Sequence, residues 1–373
     1  MSETYTDLNP SPRLLLGPGP SMVHPRVLRT MATPLVGHLD PDFLTILSDV
    51  RDLLRFVFQT QNELTLAIPG TGTAGMETAL SNLIEHGDHM LACIHGYFGE
   101  RLADMGTRYG AEVNRLERPW GEVFDPDEID LALRSHPAKI VTLVHAETST
   151  GALQPHIREV AETCHRHGAL LVLDCVTSLG GLPVEIDAWE VDFAYGASQK
   201  ALSSPPGLAP ITVSSRAREV IVSRSSRPPV FYFDLTLLER YWSDQPAYHH
   251  TAPISTTYAL REALRLIFEE GLSNCFRRHH ESAEMLWQGL ENLGLKLYIP
   301  PEIRLTTLST PQLKDDLDDA GIRGRLLDTY NIEIAGGFGP LAGRIWRIGL
   351  MGHSSRTENV RLLLAALEDL LGK

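Results

Sequence analysis

Two residues 26 positions apart could do specific chemistry together. Asp174 ends the apolar run Ala169-Leu170-Leu171-Val172-Leu173-Asp174, and Lys200 ends Ala194-Tyr195-Gly196-Ala197-Ser198-Gln199-Lys200. A lysine amine condenses with an aldehyde, and a carboxylate holds a pyridine nitrogen protonated. Pyridoxal phosphate needs both groups. Small residues flank Lys200, with Gly196-Ala197-Ser198 before it and Ser203-Ser204-Pro205-Pro206-Gly207 after it. They leave room for a ligand, and a desolvated lysine there has its pKa lowered toward the imine-forming range. Taken singly, Lys200 also reads as a solvated surface lysine and Asp174 as a helix N-cap.

Other polar groups end neighbouring apolar runs. Gly70-Thr71-Gly72-Thr73-Ala74-Gly75 matches G-x-G-x-x-G between a strand and a helix. That pattern suits a dinucleotide fold, which also wants an acid at the end of the next strand. Here that strand ends Ala92-Cys93-Ile94-His95-Gly96. What remains is a phosphate-accepting helix N-terminus or a plain glycine turn. Phe98 is either a flat ring for stacking or ordinary core. The cluster His145 to Gly151 could offer a hydroxyl to a ligand or cap a helix. Arg347 lies inside the apolar run Ile345 to Leu350, which calls for a bound carboxylate or a buried salt bridge. His249 and His250 resemble half a metal site, but no acid stands at ligand spacing, so no metal is expected.

These groups need strands that end together. Short apolar runs at Leu64–Ile68, His89–Ile94, Val113–Leu116, Ile140–His145, Leu170–Asp174, Phe193–Tyr195 and Ile211–Ser214 alternate with helical stretches, including Pro41–Gln59, Met76–Glu85 and Glu100–Tyr109. That alternation predicts an α/β fold with an open, mostly parallel sheet covered on both faces. Residues 10–20 are proline-rich and extended. Helical periodicity from Ser255 to about Leu293, broken near Gly271, bridges to a smaller α+β unit. That unit holds strands at Lys296–Tyr298, Leu305–Ser309, Glu333–Ala335 and Ile345–Leu350, and helices at Leu313–Tyr330 and Thr357–Leu371. The expected division is an arm at 1–25, a large domain at 26–252, and a linking helix with a small domain at 253–373.

The chain has 373 residues, 43% of them apolar and 21% charged, with net charge −14. The acidic balance argues against nucleic acid or an anionic membrane as partner. No apolar run reaches the roughly 18–20 residues of a membrane span. Met1 to Asn9 shows no signal-peptide pattern, and Leu370 to Lys373 is no peroxisomal address. Cys93, Cys164, Cys175 and Cys275 form no C-x-x-C, so a cytoplasmic location is expected.

From Leu16-Gly17-Pro18-Gly19-Pro20-Ser21 to Arg347-Ile348-Gly349-Leu350-Met351-Gly352 the chain resembles the class V pyridoxal-phosphate-dependent aminotransferases of fold type I, nearest to alanine–glyoxylate and serine–pyruvate or serine–glyoxylate enzymes. Phe56-Val57-Phe58-Gln59-Thr60, Glu147-Thr148-Ser149-Thr150-Gly151, Ser198-Gln199-Lys200-Ala201 and Tyr248-His249-His250-Thr251 carry it most specifically. The resemblance implies a seven-stranded sheet in the large domain. It makes Lys200 the Schiff-base lysine and proton shuttle, and Asp174 the partner of the pyridine nitrogen. Val176 would pack beneath the ring, Phe98 stack on it, and Ser149 touch its 3′-oxygen side. Thr71, Gly72, Thr73 and Gln199 would hold the phosphate, and Arg347 the substrate carboxylate. Tyr248 and Thr251 would reach the neighbouring subunit of a homodimer. Phe98 and Thr73 stand where animal relatives have tryptophan and histidine. The implied reaction moves the amino group of alanine or serine to glyoxylate or pyruvate by a ping-pong route. The alternatives are a cysteine desulfurase-like or other lyase, a dinucleotide-binding oxidoreductase and a non-catalytic cofactor carrier. A desulfurase needs a reactive cysteine on a small-domain loop. Cys275, the one cysteine after Lys200, falls in a helical stretch.

Overall fold

The computed structural model describes residues 7–243, 246–314 and 317–372. Its centre is a seven-stranded sheet of β1 (Leu64–Pro69), β2 (His89–Ile94), β3 (Glu112–Glu117), β4 (Ile140–Val144), β5 (Leu170–Asp174), β6 (Phe193–Tyr195) and β7 (Leu208–Val213). The spatial order is β1-β7-β6-β5-β4-β2-β3, and β7 alone runs antiparallel to its neighbours β1 and β6. Every residue of β4, β5, β6 and β7 is buried, as expected of strands covered on both faces. The register pairs Val144 with Asp174 and Asp174 with Tyr195. Three strand ends therefore meet at one level, in the crevice where open α/β sheets bind ligands.

Helices cover the sheet. The relevant ones are α1 (Pro41–Phe58), α2 (Gly72–Leu83), α3 (Tyr97–Arg108), α4 (Ile254–Glu270), α5 (Leu272–Asn292) and α6 (Thr357–Leu371). α1 begins at the cap Asp40, whose side chain accepts from Asp42 N, and ends at left-handed Gln59. The expected long helix is broken at Gly271, which has φ +80°. The two halves serve different cores. Leu260, Leu264 and Ile267 of α4 pack with Leu54, Leu171 and Leu173 around the sheet. Leu286 and Leu290 of α5 pack with Trp346, Ile348, Leu363 and Leu367. That second core carries a three-stranded sheet of β8 (Leu308–Ser309), β9 (Ala335–Gly336) and β10 (Trp346–Gly349), with β10 central. The arm joins it: Leu14–Leu15 pairs in parallel with Ile332–Glu333, and Leu16 is buried in the same core.

Several boundaries differ from expectation. α2 starts at Gly72 rather than Met76, because the glycine turn is itself the first helical turn. α3 starts at Tyr97 rather than Glu100. The expected strand Lys296–Tyr298 is a single bridge between Leu297 and Pro311, which has no N–H to extend a ladder. The expected strand Glu333–Ala335 is split between two sheets. The expected helix Leu313–Tyr330 starts at Asp319, capped by the Asp318 side chain; Asp315 and Asp316 lie outside the described residues. So do Met1 to Thr6 of the amino-terminal segment and Lys373. Among the described residues no helix is long and apolar enough to cross a membrane.

Candidate active site

A cavity of about 170 Å³ opens at the carboxyl ends of the central strands, lined by Thr71, Gly72, Thr73, Phe98, Asp174, Val176, Gln199 and Lys200 among others. Eight of the twelve expected site residues, drawn from positions 71 to 200, thus converge on one space. Asp174 lies at its floor. One carboxylate oxygen accepts from Val176 N and the other from the Tyr195 hydroxyl, both at 2.8 Å. Turns, not a helix, follow it, so its cap-like bond serves a turn. Burial pushes its carboxyl up to about 7, despite those two donors and the Lys200 amine; nearby Glu147 adds to the rise.

The opposite end is the start of α2. Its cap residue Thr71 supplies no side-chain cap, which leaves the first N–H groups to point outward. A Cβ at Gly72 would stand 2.9 Å from Val176 and 3.2 Å from Ala197, so the turn needs glycine to come this close to those two side chains. The Gln199 amide is in the wall with its Oε1 buried and without a partner. Thr73 Oγ1 accepts from Arg101 at 3.2 Å, and Arg101 lies 5.0 Å over both the Phe98 and Tyr97 rings.

Lys200 stands between the two ends. Its amine donates to Pro18 O of the arm. Burial, followed by the Arg347 guanidinium, lowers its pKa to about 8, and Asp174 opposes the fall. Gly19 has φ +115°, and a Cβ there would stand 2.9 Å from Lys200 Nζ. Arg347, on β10, donates Nε to Gly336 O at 2.9 Å and lies 4.3 Å over the Phe338 ring. Desolvation lowers its pKa to about 10, and Glu147 opposes. It makes no ion pair among the described residues, so the salt-bridge explanation for it does not apply.

Four expected residues are not in the lining: Arg347, just described, and Ser149, Tyr248 and Thr251. Ser149 is fully buried, donates to Glu147 Oε1 at 2.5 Å and accepts from Tyr97 N at 3.0 Å, so it braces the start of α3. Tyr248 is 65% exposed, with its ring 5.4 Å from His38, and Thr251 is exposed too. Neither lines the cavity. His249 and His250 meet through their Nδ1 atoms at 2.8 Å, and His249 stacks on Phe231. All four cysteines are buried thiols; Cys275 donates to Gly180 O and burial pushes it up to about 12, which is no nucleophile's setting. A larger cavity of about 670 Å³ lies across the Ala201–Ser203 turn, beside Cys275, Arg278 and Arg356, and is lined by none of the twelve expected site residues.

Sequence reasoning overlooked Tyr195, Glu147 and Arg101. Tyr195 ends the strand beside Asp174, so the pairing of strand ends would have found it. Arg101 follows Tyr97 and Phe98 at i+4 and i+3, the spacing that lays a side chain on helical neighbours. Glu147 lay inside the polar cluster, with no sign that its Oε2 would accept from Phe98 N.

A model of the aminotransferase class-V family matches residues 15–343. The chain is 42% identical to the (S)-ureidoglycine–glyoxylate transaminase of Bacillus subtilis, covering 96% of this chain and 90% of that one. It is 41% identical to the alanine–glyoxylate aminotransferase of Mus musculus, covering 96% and 87%. The crystal structure of alanine–glyoxylate aminotransferase from Nostoc sp. superposes with a TM-score of 0.97 at 51% identity, covering 99% and 97%. With a matching family model, relatives of this similarity over nearly the whole chain and one cavity that gathers the aspartate, the lysine and the glycine turn, the chain belongs to the class V aminotransferases.

Proposed function

We propose that this transaminase moves the amino group of a small amino acid, alanine or serine, to glyoxylate or pyruvate in a ping-pong cycle that uses pyridoxal phosphate. The observation that carries the cofactor is the donor set. A buried carboxylate with no ion pair among the described residues, an amine of lowered pKa, an uncapped helix start and an unpartnered Gln199 oxygen line one cavity. Bound there, the cofactor supplies an aldehyde for the amino group and a pyridinium that takes up electrons from Cα.

This chain's residues would do the rest. Asp174, oriented by Tyr195 and Val176, would hold the pyridine nitrogen's proton. Phe98 and Val176 would bracket the ring, and Ser149 acts there through Tyr97 and Glu147. Thr71, Gly72, Thr73 and Gln199 would hold the phosphate. Lys200, its pKa lowered to about 8, would take the Cα proton as general base and return it as general acid. Arg347 has four guanidinium N–H groups beyond its bond to Gly336, and these would grip a substrate carboxylate. Tyr248 and Thr251, exposed on one chain, would complete the site of a second copy in a homodimer. We also propose the division into an arm (1–25), a cofactor-holding domain (26–252) and a smaller domain (253–373), in a cytoplasmic protein.

The relatives named for glyoxylate support that acceptor. Single-turnover absorbance with alanine, serine, glycine and glutamate, followed by product assay with glyoxylate and pyruvate, tests the reading. A protein that binds pyridoxal phosphate but converts none of the donors would overturn it.

A further inference from the structure

Only three of the residues lining the Lys200 cavity carry charge: Asp174, Lys200 and Arg101. Arg101 is the one to which the proposed reaction gives no task. It sits on the first turn and a half of α3, and its single hydrogen bond goes to the Thr73 hydroxyl, not to a carboxylate. Among the described residues it makes no ion pair. Two rings hold its guanidinium, with Phe98 and Tyr97 each 5.0 Å below it. Thr73 belongs to the glycine turn that starts α2, so this cation is fixed at the phosphate end of the cavity. Arg347 comes from β10, packs on Phe338 and is not in the lining of this cavity.

Charge balance gives Arg101 its task. A phosphate monoester carries roughly −1.5 to −2 near pH 7. A helix N-terminus offers the equivalent of about +0.5, and threonine hydroxyls and the Gln199 amide offer dipoles only. Lys200 is committed to the aldehyde end. Without a full cation the turn would hold a largely uncompensated dianion in a low-dielectric cavity. We propose that Arg101 is a phosphate-binding residue, held over Phe98 and Tyr97 and hydrogen-bonded to Thr73 so that its guanidinium faces the anion. This rests on the pyridoxal-phosphate reading above.

The test compares two ligands that differ only in the phosphate. Apo-protein is titrated with pyridoxal phosphate and with pyridoxal, by absorbance and equilibrium dialysis, for wild type, R101K and R101Q. Loss of a charge-assisted hydrogen bond predicts that R101Q weakens pyridoxal phosphate about 10- to 100-fold, changes pyridoxal by less than about threefold, and is partly rescued by R101K. Retained pyridoxal binding also shows that the variant folds. Unchanged pyridoxal phosphate affinity, or equal weakening of both ligands, would overturn the assignment. Unchanged cofactor affinity with a raised KM for dicarboxylic donors would give Arg101 to a substrate side chain instead. If wild type took up no pyridoxal phosphate, the cofactor reading itself would fail, a result distinct from the others.

Discussion

Asp174 and Arg347 both act electrostatically on Lys200, from opposite directions, and they are held in opposite ways. Asp174 ends a strand of the central sheet and is 2% exposed, with a donor on each carboxylate oxygen. Arg347 belongs to a sheet of two- and four-residue strands, is half-buried, and uses one N–H on a backbone carbonyl. The first is a group fixed before any ligand arrives, poor only in positive charge. The second keeps most of its hydrogen-bonding capacity open. A cofactor that stays needs the first kind of anchor, and a substrate that leaves at each turnover needs the second.

Substitutions can break or sharpen that contrast. The largest effect belongs to the group between the two. Lys200→Ala should lower turnover on the order of 10⁴-fold, the upper range for a positioned general base, and remove the absorbance of covalently held cofactor. Normal turnover with that band intact would end the assignment. Arg347→Ala should raise the KM for amino donors about a hundredfold with little change in cofactor affinity, as expected when a buried carboxylate loses its charged partner. A fall in cofactor affinity instead would erase the difference between the two anchors. Tyr195→Phe removes a donor that steadies the Asp174 carboxylate, so activity should fall about tenfold and its acid limb should move to higher pH. An unmoved limb would show that the hydroxyl is idle.

The smallest effect is a slope. The Asp174 carboxyl is raised from 3.8 to about 7 in the folded apo-protein. Its contribution to stability is then full below about pH 4 and is lost as pH rises through 7, because the folded state holds the proton longer than the unfolded one. Melting curves of apo-protein should show stability falling by at most about 1.4 kcal/mol per pH unit in that window. Asp174→Asn should flatten it, and an unchanged slope would place the titration elsewhere.

The same contrast explains what could be read in the sequence. Asp174, Lys200 and the Gly70–Gly75 turn lie at ends of strands whose apolar runs are continuous, so order along the chain already predicted their meeting. The carboxylate's second donor, Tyr195, required knowing which strands are neighbours. Ser149 was expected at a ring oxygen because the family resemblance implies it there. In the fold its hydroxyl is taken by Glu147 and Tyr97 N, a packing detail with no periodic signal. Arg347 was visible as a charge among apolar residues, but Phe338 beneath it comes from a glycine-flanked loop. Tyr248 and Thr251 are exposed in the single chain, and no periodicity within one chain encodes a neighbour.

The arm gives the site a timetable. Lys200 donates to Pro18 O, Leu14 pairs with Ile332, and Gly349 N donates to Leu16 O. Leu14 and Leu16 therefore need partners more than 300 positions downstream. During synthesis the central sheet can form once β7 has left the ribosome, but Leu14 to Leu16 stay unpaired until Ile332 and Gly349 follow. Contacts so distant along the chain are slow to close and come late. A nascent chain released short of residue 349 would carry Asp174 and Lys200 on a finished sheet, yet lack the Gly349–Leu16 bond that ties the arm beside the lysine to the second core. Pulse-labelled, arrested chains of increasing length should thus gain protease resistance in the sheet before they gain retention of the cofactor.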